Sequence, residues 1–292
     1  MKCILITGAN SYIGTSVEKY LAQWPDRYHV DTVDMMDGSW REKSFVGYDS
    51  VFHVAGIAHR DSGRITEARK WQYYQVNTDL AIETAKKAKA DGVKQFVFMS
   101  SIIVYGLSAR IGEKKIINRN TEPAPEGAYG DSKLQAEKGI QPLQDERFAV
   151  CILRPPMIYG PGCKGNYPLL EKAALKLPFF PDVENERSIL HIDGLCAYVR
   201  EVFDTRAAGI CFPQNPDYVC TSRMVKEIAD AHGRKIHLTK VFNPFLRILS
   251  GRMGLVDKVF GNLVYDKNID TILANLSTDA KTECGSFCPY GK

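Results

Sequence analysis

Near its start the chain runs CILIT (residues 3–7), breaks at Gly8-Ala9-Asn10-Ser11, and resumes at Tyr12 with helical spacing that stops before Pro25. This strand–turn–helix beginning restricts the fold more than any other feature. A short apolar run without alternation reads as a strand buried on both faces, as in parallel sheets covered by helices. The same rhythm continues: residues 29–34 (HVDTVD), 50–54 (SVFHV), 95–99 (QFVFM) and 148–153 (FAVCIL) read as further strands. Helical patterning fills 65–90 and 129–140. Strands alternating with helices of this length predict an α/β fold with a doubly wound parallel sheet.

After Gly160-Pro161-Gly162 the loops lengthen and become richer in proline. We read a Rossmann-type unit over 1–160 with a return near 187–212, and a smaller C-terminal substrate lobe over 161–186 and 213–292. With 292 residues, 45% of them hydrophobic, the chain has ample material for a core. A net charge of +4 is too mild to argue for nucleic acid and is compatible with an anionic substrate. No stretch approaches the roughly 20 apolar residues of a membrane span, and Met1-Lys2 leads straight into the first strand, without the apolar stretch of a signal peptide. The expectation is a cytoplasmic protein without stable membrane insertion.

The eight cysteines are scattered, and several fall in apolar runs that read as buried free thiols. Cys284 and Cys288 form a lone C-x3-C, a weak pattern for a metal, and no metal is expected. Residues 241–263 are amphipathic and basic. Packing within the lobe is one use for such a stretch, and contact with a membrane surface is another.

The turn at 7–14 (TGANSYIG) has the chemistry of a phosphate cradle. A helix N-terminus offers free N–H groups and the positive end of a dipole, and small residues let a pyrophosphate approach. Gly8, Asn10, Ser11, Tyr12, Ile13 and Gly14 are therefore candidates for binding a dinucleotide. Asp34 follows Gly14 by 20 residues. A carboxylate there accepts from ribose hydroxyls and repels a 2′-phosphate, which favours NAD over NADP; the plain alternative is a turn cap.

Tyr129 and Lys133 stand four apart on a helix and share one face. Removing a proton from an alcohol needs a base, and a free tyrosine ionises too high for that at neutral pH. An ammonium about 5 Å away, at an effective dielectric near 20, favours the phenolate by about 3 kcal/mol, roughly two pKa units. Ser100 and Ser101 close the strand 95–99, where an open α/β sheet meets its ligand. A hydroxyl there can orient the reacting oxygen, although serines after strands often only cap turns.

Taken in order, the glycine turn, a serine followed by Val104-Tyr105-Gly106, and Tyr129-x-x-x-Lys133 resemble the extended short-chain dehydrogenases, the NAD-dependent epimerase/dehydratase family. The resemblance spans roughly residues 1–270. It implies Ser101, Tyr129 and Lys133 as catalytic residues, and Ala55, Asn77, Ser100 and Pro156 as neighbours of the cofactor. Ser11 departs from the family pattern by replacing its middle glycine, which implies weakened or reshaped phosphate binding.

The second half, with RPPMIYGPGCKGNYPLL and RSILHIDGL, resembles bacterial UDP-hexose 4-epimerases and UDP-sugar 4-ketoreductases. That implies a substrate diphosphate or sugar at Asn166 and Arg187; an ion pair is the plain alternative for Arg187. His191 reads as structural, and His59 as either a loop residue or a substrate contact. The family's 4,6-dehydratases carry an acid and a base after the catalytic serine, whereas Ile102-Ile103 can move no proton. What remains is C4 redox chemistry on a nucleotide-sugar, with NAD: epimerisation of a UDP-hexose, or reduction of a UDP-4-keto-sugar. A non-catalytic NAD-binding scaffold is the third reading. Family members also suggest a homodimer through the Tyr129 helix, which Pro142 cuts short.

Overall fold

The apolar runs form the centre of a parallel sheet in a computed structural model that describes residues 1–57 and 65–270. Its strands are β1 (Lys2–Thr7), β2 (Tyr28–Val33), β3 (Ser50–His53), β4 (Gln95–Met99), β5 (Ala149–Leu153) and β6 (Gly209–Cys211). They lie side by side in the order β6-β5-β4-β3-β1-β2, every neighbouring pair parallel. The chain leaves β1 towards one edge and returns to its other side with β3. The crevice between the carboxyl ends of these two strands is where such sheets bind ligands.

Both faces of the sheet are covered, which is why its strands do not alternate with polar residues. On one face Ile4, Ile6, Phe52, Val97 and Leu153 pack under helices α1 (Tyr12–Leu21) and α6 (Ile192–Thr205) through Val17, Leu21, Leu195 and Val199. On the other, Leu5, Val51, Phe96, Phe98 and Ile152 meet α3 (Leu80–Ala90) and α4 (Ala128–Ile140). There the helices contribute small side chains, Ala81, Ala85, Ala88 and Ala136, so that helix and sheet approach closely. Fully burying each larger aliphatic or aromatic side chain stabilises the fold by about 1.5–3 kcal/mol.

The patterning over 65–90 predicts one helix. The structure divides it into α2 (Glu67–Tyr73), a wider π-helical turn over Tyr74–Asp79, and α3. Periodicity conceals this widening, because the chain keeps its direction. Helix α4 ends where expected, passing into a 3-10 turn with Pro142.

A further apolar cluster joins Tyr159, Phe180, Ile189, Met224, Ile228 and Phe260. It gathers α5 (Tyr167–Lys176), α7 (Thr221–Ala231) and α9 (Gly254–Phe260) around short strands. Another short pairing, of Ile116–Ile117 with Val264–Tyr265, ties the loop after β4 to the C-terminal region. Helix α8 (Asn243–Leu249) packs Leu246 and Leu249 inward but leaves Phe245 and Ile248 exposed. Lobe packing therefore explains only half of the amphipathic stretch.

Cys151, Cys163, Cys196 and Cys211 are buried free thiols, and Cys3 and Cys220 are half-buried free thiols. His59, Cys284 and Cys288 lie outside the described residues. Among the described residues no helix is long and apolar enough to cross a membrane.

Candidate active site

The turn after β1 is built for close approach. Gly8 adopts φ +94°, and a Cβ there would stand 2.9 Å from the backbone N and Cα of Ala55, which closes β3. Gly8 and Ala9 donate to the Val33 carbonyl oxygen at 2.9 and 3.1 Å, which binds the turn to β2. Asn10 takes the left-handed φ of +63°. Ser11 caps α1: its Oγ accepts from the Gly14 N–H at 3.1 Å. The serine thus satisfies one helix N–H that a glycine would have left free, the physical content of the departure noted above. Gly14 has no room for a side chain, since a Cβ would lie 2.6 Å from Ser11 Oγ and 3.2 Å from both Ile6 and Val54.

These residues fit a dinucleotide. The turn packs too tightly for larger side chains and presents the N-terminus of α1. Beyond Asp34, a cavity of about 530 Å³ opens between Met35–Gly38 and the π-helical turn. Asp34 itself is exposed just past β2, where its Oδ1 accepts from Met36 N–H at 2.9 Å. Tyr12 and Ile13 are half-buried, packed against the core of the sheet, and the Tyr12 hydroxyl is buried without a partner among the described residues.

Ser101, Tyr129 and Lys133 are brought together. Ser101 caps the 3-10 turn Ile102–Tyr105 and hydrogen-bonds the Tyr129 side chain. Burial pushes the Tyr129 hydroxyl up to about 12; the hydrogen bond from Ser101 opposes this, and nearby Tyr73 adds to it. The Tyr73 ring lies 5.9 Å from that of Tyr129. The spacing predicted a tyrosine drawn down by Lys133. Instead, the Lys133 ammonium donates to the Met99 carbonyl oxygen at 2.9 Å and lies over the Phe98 ring at 4.8 Å. Burial pulls it down to about 8, and the Glu137 carboxylate opposes that.

Asn77 lies in the π-helical turn, fully buried, and fastens the site. Its Oδ1 accepts from Ile57 N–H at 2.8 Å, and its Nδ2 donates to the Ile57 carbonyl and to Ser132 Oγ. Ser132 Oγ in turn donates to the Tyr129 carbonyl at 2.9 Å. The loop after β3 and the Tyr129 helix are therefore held through one asparagine. Ser100, expected beside the cofactor, donates its hydroxyl to Glu137. Pro156 is buried in the link after β5.

Several contributors were not singled out from the sequence. Glu137 and Arg154 form a buried ion pair one helical turn below Lys133, and Arg154 also donates to the Tyr105 hydroxyl. Spacing put Glu137 on the face shared by Tyr129 and Lys133, a signal available in the sequence. His53, on β3, is fully buried; its Nδ1 bonds Thr7 Oγ1 at 2.8 Å, its Nε2 has no partner among the described residues, and burial pulls it down to about 3.

Of the proposed substrate contacts, Asn166 is half-buried at the start of α5, and its side chain makes no cap. The Arg187 guanidinium donates to Ser108 Oγ and to the carbonyls of Lys258 and Gly261. It has no carboxylate partner among the described residues, so the plain reading as an ion pair fails; burial lowers it to about 10. No hydrogen bond joins Arg187 to Asn166 among the described residues. A cavity of about 880 Å³ lies on this side, lined by Ile111, Glu186, Val219, Arg223, Lys240 and Asn262 among others. His191 caps α6 through Nδ1 and packs against Tyr159, a structural role.

The model of the NAD dependent epimerase/dehydratase family matches residues 4–210. A UDP-glucose 4-epimerase of Vibrio cholerae is 32% identical, over 91% of this chain and 87% of its own. The N-acetyl-alpha-D-glucosaminyl-diphospho-ditrans,octacis-undecaprenol 4-epimerase of Escherichia coli O157:H7 is 25% identical, over 80% of this chain and 73% of its own. In fold, the chain is similar to a UDP-glucuronic acid 4-epimerase from Bacillus cereus solved with NAD, at a TM-score of 0.69 and 18% identity, with 97% of each chain covered.

Proposed function

Because the chain belongs to the NAD dependent epimerase/dehydratase family, we propose that it inverts C4 of a nucleotide-linked hexose, with UDP as the nucleotide. The relative from Vibrio cholerae acts, by its name, on such a sugar. Bound NAD would supply the hydride acceptor and donor for C4. Residues 8–14 would hold its pyrophosphate and Asp34 its adenosine ribose, while Ala55, Asn77 and Pro156 border it. In this reading residues 1–160 with 187–212 form the dinucleotide unit, and 161–186 with 213–292 the substrate lobe.

The observation that carries the proposal is the Ser101–Tyr129 hydrogen bond at the carboxyl end of β4, with Lys133 fixed to the same strand end. Ser101 orients the sugar O4. Tyr129 removes its proton as C4 loses hydride, leaving a 4-keto sugar, and returns a proton when hydride comes back on the other face. Arg187, cationic and without a carboxylate partner among the described residues, would pair with the substrate diphosphate. Ile102 and Ile103 offer no group for dehydration. The test is a UDP-hexose carrying deuterium at C4: the C4 epimer should form with the label retained. Exchange of the label with solvent would refute the hydride route.

One observation favours a second reading. The Tyr129 hydroxyl, pushed up to about 12, is held protonated. That suits an acid that protonates an alkoxide as a 4-keto sugar is reduced, the reaction of a 4-ketoreductase.

A further inference from the structure

Helix α8 and the turn that leads into it present two different sides outward from the apolar anchor. Lys240, Asn243 and Arg247 line the 880 Å³ cavity. Phe245 and Ile248, three apart on the helix, share one face and are 63% and 61% exposed, and Val241 in the turn just before the helix is 80% exposed. Phe242 is also exposed, and so is Leu255 in α9. A monomer seldom shows water so contiguous an apolar run without using it.

The segment that carries this stripe holds side-chain charge of one sign, although carboxylates (Asp182, Glu184, Glu186, Asp217 and Glu227) line the cavity on its other side. Between Asp230 and Asp257 the sequence holds Arg234, Lys235, Lys240, Arg247 and Arg252 and no carboxylate. All five are exposed, and Arg110, also exposed, packs against Gly251. Asp257 is buried and accepts from Ser250 Oγ and Gly251 N–H, so it does not offset them. A second copy seated on the stripe in a two-fold contact would set cations against cations. Exposed apolar side chains on a segment rich in exposed cations and free of exposed carboxylates match instead an anionic bilayer, whose headgroups attract the charges while the hydrocarbon boundary takes the apolar side chains.

We propose that the Val241–Phe245–Ile248 face docks this chain on an anionic lipid bilayer surface. The proposal stands independently of the reaction at C4.

The experiment is sedimentation of the full chain with vesicles of phosphatidylcholine, alone or mixed with phosphatidylglycerol. The protein should pellet with the mixed vesicles and at least about ten-fold more weakly with the neutral ones, and added salt should release it. Phe245→Ser combined with Ile248→Ser changes only exposed side chains; it should abolish pelleting and leave UDP-hexose turnover in solution at the wild-type level. Failure of the wild type to prefer mixed vesicles, or unchanged pelleting of the double variant, would overturn the proposal. So would ultracentrifugation showing that the double variant splits a wild-type dimer, which would assign the face to a second copy.

Discussion

The Lys133 ammonium stands 2.9 Å from the carbonyl oxygen of Met99, the last residue of the strand that leads into Ser100 and Ser101. The lysine is thereby tied to the strand end that carries the serine, while its helix carries Tyr129 one turn earlier. A buried ammonium is costly unless it has partners, and the Met99 carbonyl and the Phe98 ring supply them here. The groups assigned to proton transfer are thus held by the rigid junction of β4 with α4.

Tyr129→Phe removes the proposed proton carrier and little else. Turnover should fall by at least about 10²-fold, the usual worth of a positioned acid–base group. Fold and NAD binding should persist, as checked by circular dichroism and calorimetry. Near-normal turnover would sink the assignment.

Asp34 is proposed to favour NAD over NADP from its exposed place just past β2. The wild type should bind NAD more tightly than NADP in a titration, and Asp34→Ala should narrow the difference. Preference of the wild type for NADP would contradict the role given to this carboxylate.

Arg187→Ala should weaken UDP binding by about 2–5 kcal/mol, the usual cost of truncating one side of a desolvated charge pair. NAD affinity should stay nearly constant, because the turn at Gly8–Gly14 is elsewhere in the fold. Arg187→Lys should recover only part of the loss, since a point charge lacks the two-pronged geometry of guanidinium. Calorimetry with UDP checks all three, and wild-type affinity in Arg187→Ala would remove the diphosphate contact.

His53 makes the fold sensitive to acid. Burial lowers it from 6.5 to about 3, so in the window between these values the unfolded chain binds more protons than the folded one. Its contribution is fully present above pH 6.5 and is lost as pH falls towards 3. By linkage, about 2–3 kcal/mol of stability should disappear between pH 6.5 and 4.5. His53→Gln should flatten this part of the profile measured by urea unfolding. An equally steep loss in the variant would place the acid sensitivity elsewhere.

Much of this architecture is legible in the sequence, because the signals are local. CILIT followed by Gly8 needs only hydrophobic continuity and a left-handed turn, and the strands at 50–54, 95–99 and 148–153 come within one residue of β3, β4 and β5. Other features depend on distant parts of the chain. The π-helical turn around Asn77 has the same apolar spacing as the helices that flank it. Whether the Ser100 hydroxyl turns to a ligand or to Glu137 depends on a helix 37 residues away. The mutual charge effect of Tyr129 and Lys133 looked simple at a four-residue spacing. Burial, which spacing does not report, raises one and lowers the other.

Inversion at C4 without net redox change leaves the pool of reduced nicotinamide untouched, and that balance can be measured. The purified protein is incubated with a UDP-hexose and, separately, with a UDP-4-keto-sugar, with and without NADH or NADPH, while absorbance of the reduced nicotinamide and the sugar products are followed together. The C4 epimers should interconvert with no net consumption of reduced cofactor. Stoichiometric oxidation of NADH or NADPH with the 4-keto sugar, and no epimer from the UDP-hexose, would contradict it and identify a reductase.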